Sequence, residues 1–244
     1  MLGVGGGFVI VPLRTIWTGF EQRRASGTSL AAIFPIAVVG AAAYYLRTPP
    51  EIQLSVALTL ILGSAAGAVA GSVASNRVPQ RALEMLVAVL LVVVGLYEIF
   101  LAVVGRSITS GAAAGSAFGV EQYALLGLGG IVIGVLSGLA GIGGGIFIVP
   151  MLVLGFGVTQ RVAQGTSLLA ILPTAAIGAW IHHREGNMSV GAAATIAAVG
   201  APAAVVGATL AYWLPQRALV GIFGAFLVLA ATQTWPRTAK VEAS

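Results

Sequence analysis

The chain alternates long apolar runs with short polar breaks. Seven runs stand out, at about 27–46, 54–75, 82–104, 122–140, 164–181, 190–213 and 217–235. Most approach the ~20 residues that an α-helix needs to cross a bilayer. Their apolar positions are continuous rather than alternating, which predicts helices and argues against a β-barrel, whose strands alternate apolar and polar faces. Two shorter apolar pieces, Gly3–Ile16 and Gly143–Phe156, begin in or carry a glycine run. They are too short to span comfortably and read as re-entrant or broken helices. The stretch Gly105–Glu121 is rich in Gly, Ala and Ser and reads as a linker.

The order of motifs along the runs shows a duplication. The sequence from Gly3 to Pro12, GVGGGFVIVP, returns 138 residues later from Gly141 to Pro150 as GIGGGIFIVP. At the same offset Gln22-Arg23 matches Gln160-Arg161, and Gly27-Thr28-Ser29-Leu30 matches Gly165-Thr166-Ser167-Leu168. Pro35 falls on Pro173, and the run Pro79 to Leu83 recurs as Pro215 to Leu219. The expected fold is therefore an all-α polytopic membrane protein of two homologous repeats, 1–104 and 122–244, joined by residues 105–121.

Charge and length both favour inverted halves. With inversion, Arg14, Arg23, Arg24, Arg77, Arg81, Arg184, Arg237 and Lys240 share one face, against Arg47, Arg106, Arg161 and Arg217 on the other. Parallel halves divide the same cations almost evenly, which fits the positive-inside tendency less well. Residues 122–156 as one helix would be roughly 52 Å long at 1.5 Å per residue, against a hydrocarbon core of about 30 Å. A hairpin bent at Gly143, Gly144 and Gly145 accommodates the excess.

Composition narrows the function. Of 244 residues, 58% are hydrophobic and 8% charged, far from the ~25% charge of soluble domains. The net charge of +5 comes from cations scattered through short loops, so nucleic-acid binding has no support. There is no cysteine, which excludes disulfides and thiolate chemistry. No enzymatic motif and no metal or cofactor signature is found, so the chain reads as a non-enzyme.

The candidate chemistry lies in the repeated motifs. A glycine run inside an apolar segment exposes backbone N–H groups, and a half-helix that follows offers a partial positive charge to an anion. Gly5, Gly6 and Gly7 in the first half and Gly143, Gly144 and Gly145 in the second are candidate substrate donors. Thr28, Ser29, Thr166 and Ser167 add hydroxyls, and one central anion site shared by both halves is expected. The bland alternatives are glycine packing and hydroxyls bonded back to their own helices. Arg23 and Arg161 are candidates for anion attraction, although topology anchoring explains them as well. Glu84 and Glu98, in or near span 82–104, are candidates for proton coupling. His182 and His183 read as a surface pair. Gly63, Gly67 and Gly71, and Gly130, Gly134 and Gly138, recur every four residues and read as packing faces. Pro35 and Pro173 are expected to kink their helices.

The run from Gly141 to Pro150 and the sequence from Gln164 to Leu168 resemble the sulfite exporter TauE/SafE family of membrane permeases. The resemblance covers nearly the whole chain. It implies a multi-pass inner-membrane carrier for sulfite, sulfonates or related small organic anions, with H+ or Na+ as candidate coupling ions. An anion channel of the same architecture is the alternative. Family members usually carry a helix before the first glycine run; the N-terminal repeat is expected to lack this leading helix, either because its start lies upstream of Met1 or because the helix has been lost.

Overall fold

The computed structural model describes residues 3, 22–48, 50–74, 80–105, 118–140 and 144–234. Regular structure among them is helical: α1 (Gln22–Tyr45), α2 (Leu54–Ala74), α3 (Gln80–Val104), α4 (Val120–Ala140), α5 (Gly145–Pro150, extended by a π-helical turn Met151–Gly155), α6 (Gln160–Arg184), α7 (Val190–Trp213) and α8 (Gln216–Thr234). All but α5 are long and apolar enough to cross a membrane. Large apolar side chains project outward from them, among them Leu62 (74% exposed) and Val199 (71%). In water that surface would drive aggregation; in lipid it is the solvated face. The predicted runs and observed helices agree to within a few residues, and α1 and α6 run unbroken through Pro35 and Pro173.

Helix directions follow from which residues meet. Gly40 lies against Leu168, and Gly178 against Leu30, so α1 and α6 are antiparallel neighbours. Gly105 meets Arg217, Gly221 meets Ala102, and Gly95 meets Leu227, so α3 and α8 are antiparallel as well. Gly63, Gly67 and Gly71 press on the backbones of Gly127, Ile131 and Val135 in turn, with Gly130 and Gly134 returning the contact. That constant offset makes α2 and α4 parallel, with the two backbones close because no Cβ intervenes.

The glycine run after α4 turns the chain back. Gly144 has a φ of +71°, a left-handed conformation that costs glycine nothing. It sits beside Ile133 and Ser137, while Met151 lies against Gly129 and the Phe156 ring is 6.0 Å from Phe118. The segment after Gly144 thus retraces α4 towards the end at which α4 began. Pro150 lacks the N–H that would bond the preceding turn, and the next five residues take the wider π spacing. The expected bend at Gly143–Gly145 is found at Gly144, while Gly143 itself is outside the described residues. Linker residues 106–117 are outside them too.

Candidate functional site

Among the described residues, helix α6 carries more of the buried polar side chains than any other helix. The Thr159 side chain caps its start by accepting from Val162 N at 3.4 Å. Gln160, Gln164, Thr166 and Ser167 follow, all with no exposed surface. Four fully buried polar side chains in eight residues of a membrane-spanning helix require partners or a purpose.

Two of the four are satisfied. Ser167 Oγ lies within donating distance of two carbonyls, Gly3 at 3.0 Å and Gly145 at 3.4 Å. Gly3 opens the first glycine run and Gly145 closes the second, so this serine marks where parts of both runs converge. Thr166 Oγ1 accepts a hydrogen bond from Gln53 N at 3.0 Å. Thr28, its counterpart in the repeat, accepts from Ser189 N at 3.1 Å and donates to Arg24 O at 2.7 Å.

The two threonine contacts belong to a reciprocal set. Gly165 packs on the Glu51 carbonyl and Tyr44; Gly27 packs on the Asn187 carbonyl and His182. Each tetrad therefore receives the loop that follows the equivalent helix of the other half. The tetrads themselves do not meet. The Gly178–Leu30 contact puts Thr28 opposite about residue 180, some fourteen residues from Thr166, or roughly 20 Å along the helix pair. Ser29 is buried with its hydroxyl unpartnered.

A small crevice opens next to the Ser167 contact. Ser64, Ile133, Ser137, Gly144, Ile171 and Thr174 are among its lining residues. It carries three hydroxyls beside the left-handed glycine turn. Gly144 and Gly145 are thus at the crevice and the serine respectively, whereas Gly5, Gly6, Gly7 and Gly143 lie outside the described residues.

Near the N-terminal end of α6 the charge is basic. Arg161 donates through Nε to Ala211 O at 2.9 Å and through Nη2 to Leu214 O at 2.6 Å. These bonds satisfy carbonyls at the end of α7, an anchoring role. Its guanidinium lies 5.6 Å from the Tyr212 ring centre, and that of Arg47 lies 4.7 Å away. Arg47 also donates to Thr209 Oγ1 at 3.1 Å. Burial pushes the Glu51 carboxyl above its ordinary value of 4.5, against the pull of Arg161 and Arg47. The side chain of Arg23 lies outside the described residues, as does that of Glu84. Glu98 is fully buried beside Gly224, with both carboxyl oxygens unpartnered among the described residues. His182 Nδ1 lies 3.9 Å from Glu185 Oε2 at the far end of α6.

Gln160 and Gln164 enter the sequence analysis only as parts of the repeat and of the family motif, and not as candidate site residues. Gln160 fell outside the apolar run assigned from 164, and an uncharged amide raises no alarm in a charge count. The available signal was their spacing of four, which stacks both on one helix face leading to Ser167.

Residues 1–98 and 126–243 match the family model for the sulfite exporter TauE/SafE. One curated relative is the probable membrane transporter protein YdhB of Bacillus subtilis (strain 168). It is 31% identical over 100 residues, an alignment that spans 41% of each chain. No solved structure matches.

Proposed function

Since the chain belongs to the sulfite exporter TauE/SafE family of membrane transporters, we propose that it is a secondary carrier for a small sulfur-containing or organic anion, sulfite or a sulfonate foremost, in the inner membrane. The observation that carries this reading is the convergence at Ser167. There Gly3, Gly145 and the crevice behind Gly144 bring glycine-run backbone, a helix start and hydroxyls together. The first N–H groups of a helix have no acceptor within it, and they face a ligand with partial positive charge. Neutral donors suit a carrier, because they hold an anion without the grip of a fixed buried cation.

The architecture fits alternating access. Repeats 1–104 and 122–244, joined by 105–121, are read here as inverted, because equivalent helices dock antiparallel. Such folds bind substrate where interrupted helices meet and rock one part against another. The burial of Gln160, Gln164 and Ser167 favours a closed, carrier-like conformation over a standing pore. Thr28 and Ser29 form a second, symmetry-related element near the opposite end of α1 and α6. Coupling to H+ is assigned to Glu98, a buried carboxyl with neither oxygen partnered among the described residues; Na+ is the other candidate ion.

The test is a thermal-shift screen of purified protein against sulfite, thiosulfate, short sulfonates and carboxylates. A rise in melting temperature confined to the sulfur oxyanions is expected. Reconstituted vesicles should then show saturable flux that depends on a counter-ion. Large unitary currents would replace the carrier with a channel, and no response to any anion would remove the reading.

A further inference from the structure

The amides of Gln160 and Gln164 remain unexplained by packing. Both side chains are fully buried. Among the described residues, Gln160 has no partner for its Nε2 or its Oε1, and Gln164 has none for its Nε2. Gln164 Oε1 accepts from Tyr44 OH at 3.0 Å, which turns its two N–H donors away from the tyrosine. An unbonded amide in an apolar interior is destabilising, so an apolar residue at position 160 would make a more stable helix, whereas at 164 it would also orphan the buried Tyr44 hydroxyl. Two such amides on consecutive turns of one face call for a ligand that completes them.

Their placement names its chemistry. Gln160, Gln164, Ser167, Ile171 and Thr174 follow one helix face at steps of four, three, four and three. Next to Gln160 is Arg161, and with Arg47 it makes a basic cluster around Tyr212. At the inner end, Ser167 touches Gly3 and Gly145, and Ile171 and Thr174 line the crevice. The free groups in between are mostly N–H donors, four hydrogens against one unpartnered oxygen, which suits an acceptor-rich ligand. Successive turns bring the two amides about 6 Å apart along the axis, within reach of the oxygens of one small oxyanion.

Building on the carrier reading above, we propose that Gln160 and Gln164 are substrate-binding residues. They pass an oxyanion of the sulfite or sulfonate class from the basic cluster at Arg47 and Arg161 to the glycine turn at Ser167. Their burial belongs to a closed conformation of the carrier.

The experiment compares the parent protein with Gln160→Met and Gln164→Met, which keep length and remove the amide. Sodium sulfite binding is read by calorimetry and melting temperature is read without ligand. A lost donor to a charged acceptor weakens sulfite binding by roughly 10- to 150-fold. The melting temperature of Gln160→Met stays level or rises, because an unpartnered group has been removed; a structural glutamine would lower it and leave binding intact. Parent and variants binding sulfite within twofold would overturn this assignment while the carrier reading stands. A parent that binds neither sulfite nor a sulfonate would overturn both. If Gln160→Met does not fold, Gln160→Asn retains the amide one methylene short, and unchanged affinity there counts against the proposal.

Discussion

The balance between burial and charge is sharpest at Glu51. Its backbone carbonyl packs against Gly165, and its carboxyl is partly buried near Arg161 and Arg47. Burial is the largest influence and raises the affinity for a proton; the two guanidinia oppose it without reversing it. The folded state therefore holds this proton more tightly than the unfolded state. Stability from this group is present below the ordinary value of 4.5 and is lost as pH rises through the window above it, up to the raised folded value. Melting temperature in detergent should fall over that window in the parent and stay flatter in Glu51→Gln. An equal slope in both would show that Glu51 is as well solvated in the folded protein as in the unfolded chain.

Among the elements, the α2–α4 pair depends most openly on missing side chains. A Cβ on Gly67 would run into the Ile131 carbonyl, and one on Gly134 into the Ser64 carbonyl. Neither backbone can yield without separating the helices. Gly67→Ala and Gly134→Ala should each destabilise the protein by about 1–3 kcal/mol, the usual cost of overpacking. Gly127→Ala is the matched control, since its Cβ would stand 3.8 Å from Thr59 Cγ2, an ordinary contact. Thermal unfolding of the three variants decides the matter: equal melting points would mean that the pair is not held at backbone contact. The same pair shapes the crevice at Gly144, which both Ser64 on α2 and Ser137 on α4 line.

For the whole molecule, the direction of each helix fixes which loops share a side. From Tyr45 onward the contacts set loop 46–53, residues 118–119, residues 156–159 and residues 214–215 at one end. Arg184 to Ser189 lie at the other. The native chain has no cysteine, so single substitutions give a clean background. Gly119→Cys and Thr159→Cys should react with an impermeant maleimide from the same side of the membrane, and Glu185→Cys from the opposite side. Labelling of Gly119→Cys and Thr159→Cys from opposite sides would defeat the inverted arrangement and the hairpin between them.

The placement of the spanning helices among the described residues was legible in the sequence, because the length of an apolar run is set by the bilayer and not by any partner. The duplication was legible for a related reason: both copies retain Gly-Thr-Ser-Leu and the glycine run in the same order. The bend at Gly144 followed from local backbone chemistry, since three glycines in a row permit a turn wherever they occur. What the hydroxyls contact was settled by tertiary structure alone. Thr166 meets Gln53 across 113 residues, and Ser167 meets Gly3 across 164. Antiparallel docking of α1 on α6 then separates the two tetrads that similarity alone would have joined in one site. Gln160 and Gln164 show the same limit: an amide's burial and lack of a partner depend on every helix around it.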